Sequence, residues 1–269
     1  DMFVSLPGLT LAIDETEYYE KAMKTAEKAI SDFMEGKKSD IMMYEMDKPD
    51  VFLWAVWCIQ QYYCLIGADA AIKKYGKLVD KIVDFILQDK HKNLKVHENG
   101  LLYINGRKCA MTWMNSEING FPVVPRSGYV VEINALWYNA LMFNADMLMA
   151  TGRTAEAGKY TKQAEITGKS FKEVFLNEHG YLLDYVDDGY VSWSVRPNML
   201  IASSLEYSPL STPERKKILD ICTKELLTPK GMRSLSPKSG GYNPIYQGGQ
   251  AQRDAAYHQG TVWPWLSGF

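Results

Sequence analysis

The chain lacks the short signatures by which many enzyme classes announce themselves. No GxGxxG turn, P-loop, HExxH helix or GxSxG elbow occurs in its 269 residues. That sets aside Rossmann dinucleotide binding, P-loop phosphoryl transfer, zincin hydrolysis and α/β-hydrolase chemistry. Gly248-Gly249 sits in a polar loop with no strand before it. Histidine is scarce, with four isolated residues, so no metal site is expected. Four cysteines, Cys58, Cys64, Cys109 and Cys222, form no CxxC pair. Cys58 and Cys64 share one apolar run and read as buried free thiols, and the expected compartment is reducing and cytoplasmic. A dominant charge sign is missing too, with 30 basic against 32 acidic residues and a net charge of −2. Without a basic stripe, nucleic acid is not an expected partner. The longest apolar run, Val51 to Gly67, is short and interrupted by Gln60 and Gln61. It suits a central buried helix better than a membrane span, so no membrane partner is expected. No signal peptide is visible, and the chain opens on Asp1 instead of Met, so a processed or truncated product is expected.

What is present in quantity is aromatic and helical. Aromatics make up 12% of the chain, including seven Trp and 17 Tyr. Asp14 and Glu17 resemble a capping box ahead of Tyr19, Ala22, Ala26, Ile30 and Phe33 at helical spacing, and Gly36 supplies a stop. Asp50 is expected to cap Val51–Leu65. That run, Val131 to Ala150 and Pro197–Ser204 are apolar nearly all round and predict inner helices. Asp69 to Leu87, Thr154 to Phe175 and Pro213–Leu226 are amphipathic and predict outer ones, the last with a Ser211–Glu214 start signal. Leu94–Ile104 and Leu182–Trp193 read as short hairpins. Inner helices alternating with outer ones, joined by long segments at 87–130 and 228–260, predict an all-α toroid of α/α hairpins with its site in loops at one end. One domain spanning residues 1–269 is expected.

The last sixteen residues, Asp254-Ala-Ala-Tyr-His-Gln-Gly-Thr-Val-Trp-Pro-Trp-Leu-Ser-Gly-Phe269, crowd indole, imidazole, amide and carboxylate groups together. Flat rings beside directional polar groups suit a sugar, whose CH face stacks while its hydroxyls find partners. The same residues could equally form an amphipathic loop-to-helix junction. A second segment of this character is Thr112-Trp113-Met114-Asn115-Ser116-Glu117, followed by Arg126 and Glu132 at the mouth of a buried helix. Glu132 there can be a catalytic carboxylate or simply an acid favoured by the helix dipole. A third is Arg196-Pro197-Asn198, with Trp193 just before it; its arginine can grip a ligand hydroxyl or pair a structural carboxylate. Carboxylates on separate loops among aromatics are the raw material of glycoside hydrolysis, which needs one acid to protonate the leaving oxygen and a second group as base or nucleophile.

These blocks appear in a familiar order. Asp1-Met-Phe-Val-Ser-Leu-Pro-Gly-Leu9, Asp50-Val-Phe-Leu-Trp-Ala-Val-Trp57, Thr112-Trp-Met-Asn115, Pro125-Arg126, Val131-Glu-Ile-Asn-Ala-Leu-Trp-Tyr-Asn139, Arg196-Pro-Asn198, Leu226-Leu-Thr-Pro-Lys-Gly-Met-Arg233 and Tyr257-His-Gln-Gly-Thr-Val-Trp-Pro-Trp265 together resemble the amylo-α-1,6-glucosidase domain of bacterial glycogen debranching enzymes. The resemblance implies an (α/α)6 barrel, a six-hairpin toroid related to glucoamylases. It also implies inverting hydrolysis of α-1,6-linked glucose at the branch stubs of glycogen and limit dextrin, without cofactor. By the same resemblance, Asp1, Trp54, Trp57, Trp113, Arg126, Arg196, His258, Gln259 and Trp263 are expected to bind an α-glucan (glycogen, limit dextrin or maltooligosaccharide), and Asp254 is expected to be the base.

Two departures accompany it. The family usually reads Thr-Trp-Met-Asp, and that aspartate is the expected general acid; this chain carries Asn115. An amide cannot deliver a proton, and general acid catalysis is commonly worth ~10²–10⁴-fold. Glu117 or Glu132 then supplies the proton, or the chain is a weak or silent glucan-binding relative with Asn115 kept for binding. The chain also stops where the family continues into further helices, so the barrel is expected to be incomplete at both ends. No segment for a 4-α-glucanotransferase is seen.

Overall fold

Helix and short hairpin account for nearly all the regular structure of the computed structural model, which describes residues 1–41, 43 and 45–269. The chain is 54% helical with small antiparallel sheets. It divides into two compact units, residues 1–96 with 139–164 and residues 97–138 with 165–269.

The first unit holds α1 (Met2–Leu9), α2 (Thr16–Met34), α3 (Pro49–Ile66), α4 (Ala68–Leu87) and the short β1 (Lys95–Val96). It also takes residues 139–150 of α5 (Val131–Ala150) and 154–164 of α6 (Thr154–Phe175). The all-round apolar character of α3 is explained by burial of Phe52, Leu53, Val56 and Ile59 on successive faces. Tyr19 of α2 stacks on Tyr62 of α3 at 5.2 Å and donates to the Cys58 carbonyl at 2.9 Å. Phe52 stacks on Phe85 of α4 at 5.9 Å. Polar residues inside α3 and α5 answer one another, Asn139 Nδ2 donating to Gln60 Oε1 at 2.9 Å and Tyr63 to Asp146 at 2.8 Å.

Helix starts differ from expectation in two places. Asp14 closes a 3-10 turn (Leu11–Ile13) in the left-handed region at φ 62°, and α2 begins after Glu15 with no side-chain cap. Pro49, whose fixed φ suits the first helical position, moves the start of α3 ahead of Asp50, which lies in the first turn instead of capping it. Gly36 does stop α2, at φ 68°. Cys64 is exposed, not buried, because α3 turns that face outward near its end; the four cysteines are free thiols.

The second unit is built on β2 (Leu102–Ile104), β5 (Gly128–Val130), β6 (Tyr185–Asp187) and β7 (Tyr190–Val191), which pair antiparallel in that order. The registers are Tyr103 on Tyr129, Val130 on Tyr185 and Asp187 on Tyr190. The first expected hairpin appears as a turn in which His97 donates to the Leu101 carbonyl at 2.9 Å. The second is β6–β7. A separate hairpin joins β3 (Glu117–Ile118) to β4 (Phe121–Pro122) through Asn119 at φ 54° and Gly120 at φ 77°. Two left-handed residues in a row define the mirror-image turn that Asn-Gly favours. The same unit holds α7 (Asn198–Ser204), α8 (Thr212–Glu225) and α9 (Gln250–Tyr257). A three-stranded sheet orders β10 (Val262–Trp263), β9 (Gly231–Arg233) and β8 (Leu227–Thr228). Ser211 and Glu214 form the capping box of α8. Helix α9 and β9 fall in the long connecting segment 228–260, where α9 is short and mostly polar and the strand spans three residues.

Candidate active site

Strand β5 delivers the chain directly into α5, with the Val131 amide donating to the Asp184 carbonyl at 3.1 Å. That junction sets Arg126, Glu132 and Asp184 face to face. Arg126 and Glu132 make a two-pronged ion pair, one prong between Nη1 and Oε1 and the other between Nη2 and Oε2 at 2.6 Å. The Asp184 carboxylate accepts from Arg126 Nε and Nη2, both at 2.9 Å. All three side chains are about 1% exposed. Burial alone would lower Arg126, but Asp184 and Glu132 outweigh it and hold the guanidinium above its usual value. Burial pushes Glu132 up, against the pull of Arg126. The backbone of Gly106 lies against this arginine so closely that a Cβ on it would sit 1.8 Å from the Arg126 carbonyl oxygen.

Asp184 extends the network. It accepts from Asn198 Nδ2 at 2.7 Å and lies 3.6 Å from Arg196 Nε. Asn198 in turn accepts from the Trp113 indole nitrogen at 2.8 Å. Arg196 donates to the carbonyls of His258 at 2.7 Å and Ser234 at 3.1 Å, and to Gln259 Oε1 at 2.6 Å. Burial pushes Arg196 down to about 10. Its guanidinium, with burial as the larger cause, holds His258 down to about 3, so the imidazole is neutral. His258 Nδ1 is buried without a hydrogen-bond partner among the described residues. The Trp113 ring meets His258 at 5.3 Å, Trp263 at 5.9 Å and Trp265 at 5.2 Å, all edge to face, and His258 stacks on Trp263 at 5.3 Å.

Beyond Met114 the chain turns outward. Asn115 is exposed, and its side chain makes no hydrogen bond among the described residues. Ser116 Oγ donates to the Asp254 backbone carbonyl at 2.6 Å, tying this segment to α9. Asp254 accepts from Gln250 one turn earlier at 2.8 Å and is partly exposed. Glu117, exposed at the start of β3, accepts from the Ala110 amide at 3.2 Å.

Trp113, Arg126, Glu132, Arg196, His258, Gln259 and Trp263 are joined through hydrogen bonds and ring contacts in the second unit, by way of Asp184 and Asn198. Asn115, Glu117 and Asp254 lie in the same unit, with their side chains outside that network. Asp1, Trp54 and Trp57 belong to the first. Asp1 is exposed at the start of α1. Trp54 is 4% exposed, edge to face with Trp57 at 5.5 Å, which leaves it little ring face for a ligand. Glu132 is buried with both carboxylate oxygens on Arg126, an arrangement suited to holding that arginine. Asp184 is the residue that sequence reasoning missed, since a lone aspartate before a weak strand carries no local signal. Asn198, within Arg196-Pro197-Asn198, joins the site by bridging Asp184 and the Trp113 indole. Among the described residues no cluster of His, Cys, Asp and Glu could hold a metal ion, and no helix is long and apolar enough to cross a membrane.

A helix-rich frame with small sheets, enclosing indoles, a neutral imidazole and guanidinium–carboxylate pairs, is the kind of domain that carbohydrate-cleaving enzymes use. The family model described as Amylo-alpha-1,6-glucosidase matches residues 1–269, and the chain belongs to that family of glycoside hydrolases. It is 27% identical over 233 residues to a glycogen debranching enzyme of Saccharomyces cerevisiae, covering 70% of this chain and 15% of the yeast protein. The chain thus matches about a seventh of that relative's length. A GH78 family rhamnosidase of Bacillus sp. GL1 shares its fold over 65% of this chain and 17% of that one, with a TM-score of 0.51 at 17% identity.

Proposed function

We propose that the chain is the glucosidase part of a debranching enzyme, hydrolysing α-1,6-linked glucose at the branch stubs of glycogen and limit dextrin with inversion, in the cytoplasm. The reading carries an (α/α)6 frame. It is supported by the burial of α3 and α5 on nearly every face and by the amphipathic α4 and α6. The single observation that carries the reaction is the Ser116–Asp254 bond at 2.6 Å. It ties the Asn115-Ser116-Glu117 segment and the Asp254 helix together beside the Trp113, His258 and Trp263 rings.

In this reading Asp254 activates the attacking water and Glu117 protonates the leaving oxygen. Glu132 is a positioning residue, holding Arg126 for Asp184. His258, kept neutral, stacks on Trp263 and meets Trp113 edge to face, with Arg196 and Gln259 beside it. Asp254→Ala is expected to lower glucose release from limit dextrin by ~10²–10⁴-fold. Inversion at an α-linkage gives β-glucose as the first product, and ¹H NMR of fresh product finding the α anomer would overturn it.

Asn115 favours a second reading, a glucan-binding relative that has lost its acid. Asn115→Asp separates the two. A gain of two or more orders of magnitude identifies position 115 as the lost acid, and an unchanged rate keeps Glu117 in that role.

A further inference from the structure

A cavity of about 520 Å³ opens in the second unit, and none of the candidate active-site residues lines it. Its lining includes Tyr181, Tyr190 and Trp193, together with Glu225, Ser236 and Lys238. Trp193 is 48% exposed and Tyr190 58%, an uncommon outlay of large rings to water. The Glu225 carboxylate is nearly buried and fixed, accepting from Ser236 Oγ at 2.7 Å and from Lys238 Nζ at 2.5 Å. His179 carries the aromatic surface onward, 6.1 Å from both Tyr181 and Trp193.

Tyr190 also borders a second cavity of about 440 Å³, shared with Tyr185, Arg107 and Asp187. Tyr185 and Tyr190 lie 5.6 Å apart, and Asp187 is held by Arg107 Nε at 2.8 Å and Tyr103 at 2.9 Å. Two hollows that share Tyr190, each bordered by tyrosine or tryptophan rings and by an ion pair, suit an extended, hydroxyl-rich ligand more than a compact apolar one. Neither the rings nor the pairs are spoken for by the active site.

We infer that this cleft, with Trp193 and Tyr190 as stacking faces and Glu225 and Lys238 as hydroxyl partners, holds a run of glucosyl units from the α-glucan chain that bears the branch. The inference rests on the proposed α-glucan activity and adds to it a second anchoring point.

The test uses the full chain with maltoheptaose in calorimetry and with glycogen cast into a native gel. Trp193→Ala is expected to weaken maltoheptaose binding about tenfold, or ~1.4 kcal/mol, and to release the chain from glycogen retardation. Glucose release from a short α-1,6-branched oligosaccharide stays at the parent rate, and Trp193→Phe restores most of the binding. Trp193→Ala binding with parent affinity overturns the inference, as does a parent chain that ignores both probes. A parent that binds through Trp193 but releases no glucose overturns the hydrolytic reading and leaves the cleft standing. Because Trp193 is half-exposed, its truncation is not expected to unfold the chain; Glu225→Gln, with a two- to threefold loss, serves as a check that does not touch the rings.

Discussion

Asp184 decides the energetics of the site at the scale of single residues. A buried carboxylate costs several kcal/mol to desolvate, and the cost is offset here by a fork of hydrogen bonds from Arg126 and a contact from Asn198. Removing the arginine strands two buried acids, so Arg126→Met is expected to lose on the order of 3–5 kcal/mol in urea unfolding. Two histidines set the acid limit. Burial holds His91 down to about 4, with Asp47 and Lys92 pulling in opposite directions, and His258 down to about 3. The unfolded chain takes up these protons below ~6.5 while the folded chain does not. Stability is therefore full above that pH and falls by ~1.4 kcal/mol per pH unit for each group as the pH drops toward 4. His91 lies in an aromatic nest of Phe33, Phe52 and Phe85, so His91→Phe is expected to flatten the acid limb of a stability-versus-pH curve. At this scale the sequence showed the rings and arginines through their motifs. It hid Asp184, whose importance comes only from what β6 brings it against.

Elements were legible wherever periodicity was long. Helices of eighteen residues or more, α2 through α6, appeared close to their expected spans, because burial repeats over several turns in each. Starts were less legible, since Pro49 outbids Asp50 for the first turn and Asp14 serves a 3-10 turn. The Asn119-Gly120 turn was readable in principle, as that dipeptide between short arms is a hairpin signal, and β3 places Glu117 beside Asp254's helix. Two tests belong here. Ser211→Ala removes one half of the α8 capping box and is expected to cost ~1 kcal/mol in thermal unfolding. Gly106→Ala drives a methyl into the Arg126 carbonyl, and is expected to lower stability and glucose release together, because the displaced arginine is shared by fold and site.

For the molecule as a whole, burial orders the reactivity of its thiols. Cys64 is exposed, Cys109 intermediate, and Cys58 and Cys222 are buried with their thiols pushed up to about 12 by desolvation. Titration with a thiol reagent is expected to count Cys64 at once, Cys109 more slowly, and the buried pair only on unfolding. The division of the chain into two units was not legible, because α5 and α6 each contribute residues to both and no linker marks a border.

One carboxylate, Asp184, serves Arg126, Arg196 and Asn198 at once. Change at this spot has to be collective. Libraries that vary positions 126, 132, 184, 196 and 198 singly are expected to yield almost no viable clones, whereas exchanging the quintet as a block, acids and bases in matched number, keeps charge neutrality and opens routes that no stepwise lineage can walk.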